Sequence, residues 1–354
     1  MKRFGNLYKD ITSFENVLRA SRMARLGKRY KTSTARFEFA LEKNILKIIR
    51  ELKEKTYTAG PYKDFIIYEP KMRQISAAPY YDRVIHHAVM NIVELLVRTS
   101  YIYDTYACIK GRGTHSAVDR YKQFQRKNAY VLKCDIKKYF QNIDHEILME
   151  KLTAKIKCPD TLWLLETIIR SKAYDSGCEY FEGDNLFTPV QRPKGVPIGN
   201  LTSQFFANLY LNDFDHFMKQ ELKTRYYIRY CDDVVIFSND KETLKQVRQA
   251  VSDYLDIIRL KVHPNKTRIF KLNDGVDFLG YRIWPGYSKI RKARVKSYRR
   301  RIRRMEKAYS RGELTLDRVT ASVRSWLGHV RHANAKGLQK EVLEGIRLKK
   351  CSIA

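Results

Sequence analysis

The chain has 354 residues, enough for two or three domains and a sizeable buried core. Its hydrophobic content of 44% excludes an intrinsically disordered protein. The 69 Lys and Arg residues far exceed the 38 Asp and Glu residues, for a formal net charge of +31. Because each neutralised phosphate releases a condensed counterion, this excess favours a polyanionic partner over a generically basic soluble protein.

Cysteine usage and hydropathy indicate the compartment. The six cysteines occur singly, with no C-x-x-C pair and no His at zinc-ligand spacing, which argues against a zinc site or a disulfide framework. The N-terminal segment has no uninterrupted apolar core and no cleavage site, so it predicts no signal peptide. The most apolar run, VMNIVELLV at 89–97, is too short to span a bilayer. We expect a cytoplasmic protein with no membrane partner.

The first third of the chain predicts helices on either side of a hairpin. Residues 1–60 read as mostly helical, because apolar residues recur at helical spacing at Phe37, Leu41, Ile45, Ile48 and Leu52. The segment YKDFIIYEPKMRQISAAP alternates around a turn and predicts a β-hairpin. Residues 80–105 again predict a helix, and the apolar run AYVLKCD predicts a strand that ends at Asp135.

The middle of the chain predicts a helix followed by a second hairpin. GVPIGN interrupts the chain before a helix with an apolar stripe, most simply interpreted as core packing, at Phe206, Leu209, Tyr210, Phe214 and Phe217. The stretch RYYIRYCDDVVIFSND at 225–240 predicts strand, tight turn and strand, with no Gly or Asn in the turn. A helix over 241–259 and the strand-like segment VDFLGYRIWP follow.

The composition becomes strongly basic after Pro285. Between Lys289 and Arg311 the only acid is Glu306, so these like charges cannot neutralise each other along one helix. A solvated tail is one interpretation. However, a periodic apolar face is formed by Ile290, Val295, Tyr298, Ile302, Met305 and Tyr309, and a second amphipathic segment follows. We therefore predict a small helical domain with one face packed and the other available to phosphate.

Three acids terminate or interrupt predicted strands, namely Asp135, Asp232 and Asp233. Clustered carboxylates raise one another's pKa, and desolvation adds to that cost unless a cation is present. Mg²⁺ prefers carboxylate and phosphate oxygens, and two such ions can activate an attacking hydroxyl and stabilise a leaving pyrophosphate. Two adjacent acids alone would indicate a surface turn, but the upstream Asp and the basic chain favour a metal site.

The motif YCDD at 230–233 matches the Y-x-D-D motif of reverse transcriptases. Further segments resemble the other motifs of that family in the same order: EPKMRQISAAPYYDRVIHHAV, YACIKGRGTHSAV, VLKCDIKKYFQNIDH, GVPIGNLTSQFFANLYL, LKVHPNKTRIF and VDFLGYRIW. The resemblance implies an α+β right-hand polymerase with an antiparallel-sheet palm. It implies a helical N-terminal extension at 1–60, fingers and palm at 61–285, and a basic helical thumb at 286–354.

The same resemblance implies roles in catalysis. Asp135 and Asp232 would coordinate two Mg²⁺ ions, with Mn²⁺ as a substitute, and Asp233 would support them. The backbone carbonyl of Ile136 would be a further metal ligand. Lys266 matches the palm lysine that the family is proposed to use as a proton donor to pyrophosphate, a role that general-acid chemistry permits.

Nucleotide-binding residues follow in the same way. Lys71 and Arg73 match the fingers residues that contact the incoming dNTP, with ordinary exposed basic residues as the alternative. Phe140 falls where the family places an aromatic steric gate against a 2′-hydroxyl, with a core Phe as the alternative. Ile198 and Gly199 would lie beside the nascent base pair. Contacts to the template RNA and the cDNA/RNA duplex are expected from Arg112, Lys289, Arg291, Arg299, Arg300, Arg303 and Arg304.

One motif departs from most reverse transcriptases. Where they carry Q-G-x-x-x-S-P, this chain reads IGNLTSQ, with Ile198 in place of Gln and Gln204 in place of Pro. This variant resembles the reverse transcriptases of diversity-generating retroelements, which copy a template-repeat RNA into cDNA while misincorporating opposite adenines. That family implies a small basic accessory protein, typically a homopentamer of helical bundles, in a prokaryotic cell or phage-infected host.

Two other interpretations stay open. The chain is also compatible with another prokaryotic reverse transcriptase, from a group II intron, a retron or a phage-defence system, although the first two normally keep Gln at the position of Ile198. The third interpretation is a non-catalytic RNA-binding scaffold with a degenerate polymerase fold. The intact Asp135, Asp232 and Asp233 disfavour it.

Overall fold

The computed structural model describes residues 3–68, 72–174, 180–181, 184–185 and 192–349. The predicted nucleotide-binding residue Lys71 lies outside these ranges. The chain divides into two compact units. The first comprises Met1–Cys108, Cys134–Val234 and Gln246–Thr267, and the second comprises Ile109–Lys133, Val235–Lys245 and Arg268–Ala354. Within the described ranges, no helix has the length and apolar character needed to cross a membrane.

The N-terminal region is helical, as predicted. It contains α1 (Tyr8–Ile11), α2 (Phe14–Arg25), α3 (Thr32–Phe39) and α4 (Leu41–Lys53). The Ser13 hydroxyl caps α2 by accepting a hydrogen bond from the Asn16 backbone N–H. The apolar face of α4 is fully buried, which explains the helical periodicity in the sequence. The predicted continuous helix is interrupted at Ala40, whose φ of −120° is not helical.

The predicted hairpin and the helix after it are confirmed. Strands β1 (Lys63–Ile67) and β2 (Arg73–Ala77) pair antiparallel, with Phe65 opposite Ile75. Helix α5 (Tyr80–Val97) has a fully buried face, and its Ala88 carbonyl accepts a hydrogen bond from Asn16 on α2 at 2.9 Å. The helix ends at Val97, earlier than predicted, and is followed by a single 3₁₀ turn.

The central segment alternates helices and short strands. Its elements are α6 (Thr114–Gln125), β3 (Tyr130–Asp135), α7 (Tyr139–Asn142), α8 (His145–Lys155), α9 (Pro159–Arg170), α10 (Leu201–Tyr210), α11 (Asn212–His216), β4 (Tyr227–Tyr230), β5 (Asp233–Ser238) and α12 (Lys241–Ile257). A π-helical turn extends α11 to Glu221. The strand ending at Asp135 and the hairpin at β4 and β5 are confirmed.

A four-stranded sheet carries the ends of the predicted catalytic strands. With β6 (Arg268–Lys271), its strand order is β4-β5-β3-β6, and β3 pairs antiparallel with β6. Strands β3 and β5 are therefore direct neighbours. Their inner residues, including Val131, Leu132 and Val235, have no solvent exposure. This apolar support explains why the strands read as near-continuous hydrophobic runs.

The second unit contains a further sheet and the basic helices. Its remaining elements are β7 (Val276–Phe278), β8 (Tyr281–Trp284), β9 (Tyr287–Ile290), α13 (Lys292–Ser310), α14 (Leu316–Val330) and α15 (Lys336–Glu344). The predicted single strand VDFLGYRIWP folds instead as two antiparallel strands, because Leu279 and Gly280 form a turn with φ of +45° and +96°. The segment at 286–354, predicted as a helical thumb, therefore begins with the strand β9 before its first helix.

The two predicted amphipathic helices pack against each other. Tyr298 on α13 stacks on Trp326 of α14 with ring centroids 4.4 Å apart and planes 6° from parallel. Tyr298 and Ile302 are buried, whereas most of the basic residues on α13 are exposed. The periodic apolar face therefore acts as core, and the charged face of α13 is left to solvent.

Candidate active site

The turn between β4 and β5 carries Asp232. Cys231 and Asp232 form the turn, and Asp233 is the first residue of β5. Cys231 has a φ of +58°, in the left-handed region. A non-glycine residue in this conformation costs roughly 1–2 kcal/mol, so its neighbours must hold it there. The left-handed Cys231 explains how the chain turns without the expected Gly or Asn.

Asp135 is fixed by a neighbouring loop. Its backbone carbonyl accepts a hydrogen bond from the His263 N–H at 2.7 Å. Its side-chain Oδ1 accepts one from Lys266 Nζ at 3.0 Å, and both side chains keep some solvent access. The loop therefore sets the position of the carboxylate and places an ammonium group beside it. The structure brings Lys266 and Asp135 together, a contact that the sequence did not predict.

The adjoining residue, Ile136, forms an isolated antiparallel bridge with Val262. The hydrogen bonds of this bridge come from the flanking residues, because His263 donates to the Asp135 carbonyl and Lys137 donates to Lys261. In an antiparallel pair of this kind, the central residues direct their own N–H and C=O groups away from each other. The carbonyl of Ile136 therefore faces away from Val262.

The carboxyl of Asp232 has a pKa above its ordinary value. Burial is the largest cause, and the negative charge of Asp135 raises the pKa further. The positive charge of Arg73, on the fingers strand β2, acts in the opposite direction. The charges of Asp135 and Arg73 therefore both act on the carboxyl of Asp232, in opposite directions. Asp233 is half-buried at the start of β5.

The donor set fits a hard divalent cation. In the part of the chain that the structure describes, no cluster of three or more His, Cys, Asp or Glu side chains is arranged to hold a metal ion. Mg²⁺ needs fewer protein ligands, because it commonly uses one or two carboxylates and completes its shell with water and substrate phosphates. Asp135 and Asp232 would supply two such carboxylates, and a cation would relieve the repulsion that raises the pKa of Asp232.

Phe140 lies on the short helix α7, five residues after Asp135 and beyond Lys138, whose φ is +47°. Its carbonyl accepts a hydrogen bond from the Val196 N–H at 2.7 Å, and its half-buried ring lies 5.7 Å from that of Tyr139. The buried Tyr139 hydroxyl donates to the carbonyl of Ala207 on α10. These bonds fix the backbone of α7 and hold Phe140 beside Val196 and Tyr139.

Ile198 and Gly199 pack against the fingers strand β2. The Ile198 carbonyl accepts a hydrogen bond from the Ser76 N–H at 3.1 Å. Gly199 has a φ of +117°, and a Cβ there would lie 2.9 Å from Cγ2 of Ile75. Both the conformation and the close approach to β2 therefore favour glycine. The expected approach of Gly199 to the nascent base pair stays a prediction, and the close approach seen here is to β2.

The hairpin of β1 and β2 is braced by a segment that the sequence did not single out. Lys172 Nζ pairs with Asp64 on β1 at 2.6 Å, and its ammonium lies 5.6 Å from the Tyr62 ring centroid. The Tyr174 hydroxyl is 3.2 Å from Ser76 Oγ on β2. These contacts hold the strand that carries Arg73. Isolated polar residues after α9 carry no sequence pattern that would have revealed this role.

The second unit carries a basic groove with a volume of about 810 Å³. Its apolar lining residues include Ile290, Val295 and Leu338. Its basic lining residues are Lys289, Lys292, Lys296, Arg299, Arg300 and Arg303. The groove therefore combines cationic and apolar lining residues, the two kinds of side chain that contact phosphates and sugars or bases in nucleic-acid grooves. We name these six residues the basic groove.

The other predicted nucleic-acid contacts lie outside the basic groove. Arg291 pairs through Nε with Asp277 at 3.1 Å, and Arg299 of the basic groove likewise pairs with Glu341 at 2.5 Å. Arg304 is exposed on α13, and Arg112 is half-buried before α6. The structure therefore brings together four of the seven predicted residues, Lys289, Arg299, Arg300 and Arg303.

Comparisons with known proteins agree with the motifs. The profile of the family described as "Reverse transcriptase (RNA-dependent DNA polymerase)" matches residues 61–283. Protein YkfC of Escherichia coli (strain K12) is 25% identical over 206 residues, which cover 49% of this chain and 51% of that protein. The group II intron-encoded protein LtrA of Lactococcus lactis subsp. cremoris is 28% identical over 182 residues, covering 51% of this chain and 29% of LtrA.

Solved structures show a limited likeness. Apo telomerase from Candida tropicalis gives a TM-score of 0.49 at 15% identity, covering 68% of this chain and 59% of that one. Telomerase from Candida albicans gives 0.47 at 14% identity, covering 84% of this chain and 57% of that one. The chain spans about half, or less, of the length of the curated relatives it matches. The antiparallel sheets, the helices and the family profile confirm the predicted α+β polymerase fold. Because the profile covers more than half of its residues, this chain belongs to the reverse transcriptase (RNA-dependent DNA polymerase) family.

Proposed function

We propose that the chain is an RNA-directed DNA polymerase that copies a template RNA into cDNA by two-metal nucleotidyl transfer. The observation that carries this proposal is the position of Asp135 at the end of β3 and of the half-buried Asp232 in the turn before the neighbouring strand β5. The raised pKa of Asp232, to which burial and the charge of Asp135 contribute, supports it. A family member with degenerate chemistry would have no need of two mutually repelling acids at adjoining strand ends. The substrates would be dNTPs and a primed RNA, in the cytoplasm.

The chain's own residues would divide the work as follows. Asp135 and Asp232, with the Ile136 carbonyl, would hold two Mg²⁺ ions. When bound, such ions supply activation of the 3′-hydroxyl and charge stabilisation of the leaving pyrophosphate. Arg73 would orient the triphosphate through its planar guanidinium fork. Lys266, already 3.0 Å from Asp135 Oδ1, would neutralise the leaving pyrophosphate or donate a proton to it.

The direct test is primer extension by the purified chain on matched RNA and DNA templates with Mg²⁺ and dNTPs. We expect cDNA on the RNA template and none after chelation of the metal. Binding of the primed RNA without any extension, with either Mg²⁺ or Mn²⁺, would instead support the non-catalytic scaffold.

Replacing Arg73 with Gln should weaken nucleotide binding. We expect the KM for dNTPs to rise by about 10-fold, because one charge-assisted phosphate contact contributes roughly 1.5–3 kcal/mol. The affinity for the RNA–DNA duplex should stay the same, since the basic groove, which we expect to contact the duplex, is unchanged. Steady-state kinetics and duplex binding measure both quantities. Arg83→Gln, on the adjacent α5, is the matched control, and an equal rise in KM there would contradict a specific role for Arg73.

We further propose that the chain serves a diversity-generating retroelement and misincorporates opposite template adenines. The supporting observation is the IGNLTSQ motif, in which Ile198 replaces a Gln and offers no hydrogen-bonding side chain. Discrimination between correct and wrong pairs is only a few kcal/mol, so the loss of one positioning contact matters. The partners would be a template-repeat RNA and a small basic accessory protein that assembles as a homopentamer. Because this chain carries a net charge of +31, bound RNA should favour their association.

Replacing Ile198 with Gln should raise fidelity at template adenines. We expect the adenine error rate to fall several-fold, since the added amide can hold nucleotide and template in register. Errors opposite the other three bases should change less. Deep sequencing of cDNA made with and without the accessory protein measures this, with Ile198→Leu as the control of similar size. An unchanged adenine error rate in the Gln variant would remove Ile198 from the explanation.

The similarity to LtrA favours a second candidate, a reverse transcriptase of the group II intron type. The error spectrum of the unmodified chain separates the two. Errors concentrated opposite adenine support the diversity-generating function, whereas uniformly low error rates at all four bases support the intron-type enzyme.

A further inference from the structure

The strand that leads into the Asp232 turn contains a fully buried charge. Arg229, on β4, has 0% of its side chain exposed, and so has its partner Asp215 on α11. The Arg229 backbone is held too, because its N–H donates to the Asp104 carbonyl and its carbonyl accepts from the Tyr106 N–H, both at 3.0 Å. Burying two charges is costly unless their hydrogen-bonding groups are satisfied. The chain nevertheless keeps this pair two residues from the catalytic turn.

Both oxygens of the Asp215 carboxylate are hydrogen-bonded. Arg229 donates from Nε to Oδ1 at 2.7 Å and from Nη2 to Oδ2 at 2.6 Å, in a bidentate fork. The Thr105 hydroxyl donates to Oδ2 at 2.8 Å, and the Tyr227 hydroxyl donates to Oδ1. These bonds offset the desolvation cost of the buried Asp215 carboxylate and fix both the plane and the position of the Arg229 guanidinium.

The remaining arm of the guanidinium reaches the turn itself. Nη1 of Arg229 donates to the backbone carbonyl of Cys231 at 3.2 Å and to Oδ1 of Asn208 at 3.4 Å. Cys231 is the residue with a φ of +58°, and it directly precedes Asp232. The guanidinium therefore links the buried Asp215 carboxylate to the backbone of Cys231, the left-handed residue that directly precedes Asp232.

We infer that the Asp215–Arg229 pair positions the active-site turn: by holding the Cys231 carbonyl, it fixes where the Asp232 carboxylate points. The inference rests on the proposed function in one respect, the role of Asp232 as a metal ligand. The alternative is a purely stabilising pair. Apolar or neutral replacements of buried ion pairs are often neutral or stabilising, so stability and positioning can be separated by experiment.

The decisive variant combines Asp215→Asn with Arg229→Met. It removes both charges together and removes the donor to Cys231. The Asn oxygen accepts from one of the Thr105 and Tyr227 hydroxyls, and the Asn amide can donate to the other hydroxyl oxygen. We expect a cooperative melting transition near that of the unmodified chain and unchanged affinity for an RNA–DNA duplex. The rate of single-nucleotide addition should fall about 100-fold, and the Mg²⁺ concentration for half-maximal rate should rise about 10-fold.

Arg229→Lys is a second variant that does not depend on the first one folding. Lys retains the charge beside Asp215 but lacks the fork that reaches Cys231, so the same shift in Mg²⁺ dependence is expected. Lys219→Gln is the matched control. Lys219 pairs with Asp104 at 2.9 Å and donates to the Arg225 carbonyl. The Lys219→Gln substitution therefore removes a neighbouring ion pair that does not contact the turn. Its Mg²⁺ dependence should stay unchanged.

A folded double variant, or a folded Arg229→Lys variant, with the unmodified rate and Mg²⁺ dependence would overturn the inference. A readout without catalysis separates this from failure of the proposed function. Mn²⁺ should raise the melting temperature of the unmodified chain and raise it less in the double variant. If the chain binds Mn²⁺ through Asp232 but makes no cDNA, the proposed function fails, and the Mn²⁺ shifts alone decide the role of the pair.

Discussion

Replacing Asp232 with Asn is expected to abolish nucleotide addition and to stabilise the metal-free protein. The loss of rate should be about 1000-fold or more, because metal-mediated charge stabilisation is worth several kcal/mol and about 1.4 kcal/mol corresponds to a factor of ten. The gain in stability follows from the raised pKa of Asp232, which burial and the charge of Asp135 produce. Burying the ionised form is unfavourable, and Asn carries no charge.

The pH dependence has a definite sign. A carboxyl whose folded-state pKa is raised contributes stability that is fully present below its unfolded pKa, about 3.9 for Asp, and is lost as pH rises through the folded value. The melting temperature of Asp232→Asn minus that of the unmodified chain, measured without metal, should therefore be near zero at low pH and grow as pH rises above about 4. Adding Mg²⁺ should stabilise only the unmodified chain.

A matched control separates this effect from a general charge change. Asp253, an exposed residue on α12, loses the same charge in Asp253→Asn but lies on the solvent face. That variant should keep its activity and show no growing stability gain with pH. A destabilised Asp232→Asn protein, or one that retains ordinary primer extension, would contradict the assignment of Asp232 as a buried metal ligand.

Replacing Phe140 with Ala is expected to admit ribonucleotides. The preference for dNTPs over rNTPs, expressed as the ratio of their kcat/KM values, should fall about 10- to 100-fold, because a steric clash with the 2′-hydroxyl is worth roughly 1–3 kcal/mol. The fixed place of α7, held by the Val196 and Tyr139 hydrogen bonds, makes the clash specific. Single-nucleotide incorporation with paired dNTP and rNTP substrates measures the ratio.

Phe140→Tyr retains the ring and serves as the control, with discrimination expected to remain. If Phe140→Ala kept the full preference for dNTPs while folding normally, Phe140 would be a core residue and another side chain would exclude the 2′-hydroxyl. A simultaneous fall in all activity, with the ratio unchanged, would have the same meaning.

Local patterns predicted the elements that carry the site. The apolar run that ends at Asp135 and the two β-prone runs around Cys231 and Asp232 are strands with the predicted turn between them. The hairpin with Arg73 also follows from its alternation. These predictions succeeded because strand and helix periods are written in consecutive residues.

Other features depend on contacts between residues far apart in the chain. The buried partner of Arg229 is Asp215, fourteen positions away, and the hydroxyl of Thr105 completes the network from 110 positions away. A charged residue within a short apolar strand beside the YCDD motif was the available signal. It predicts a buried partner but does not identify one.

Turn conformations were the other source of difference between the predicted and the observed structure. The left-handed φ of Cys231 could not be expected from a residue type that rarely adopts it, and Leu279 likewise turns the predicted single strand into a hairpin. In both places tertiary contacts override the local preference.

The decisive measurement is a structure of the chain with an RNA–DNA duplex, a non-reactive dNTP analogue and Mn²⁺, recorded with anomalous scattering. Two anomalous peaks are expected roughly 3.5–4 Å apart, each within coordinating distance of oxygens from both Asp135 and Asp232 and of the nucleotide phosphates. If the duplex and nucleotide bind but the peaks are absent, or lie away from both carboxylates, the two strand ends do not form a metal site.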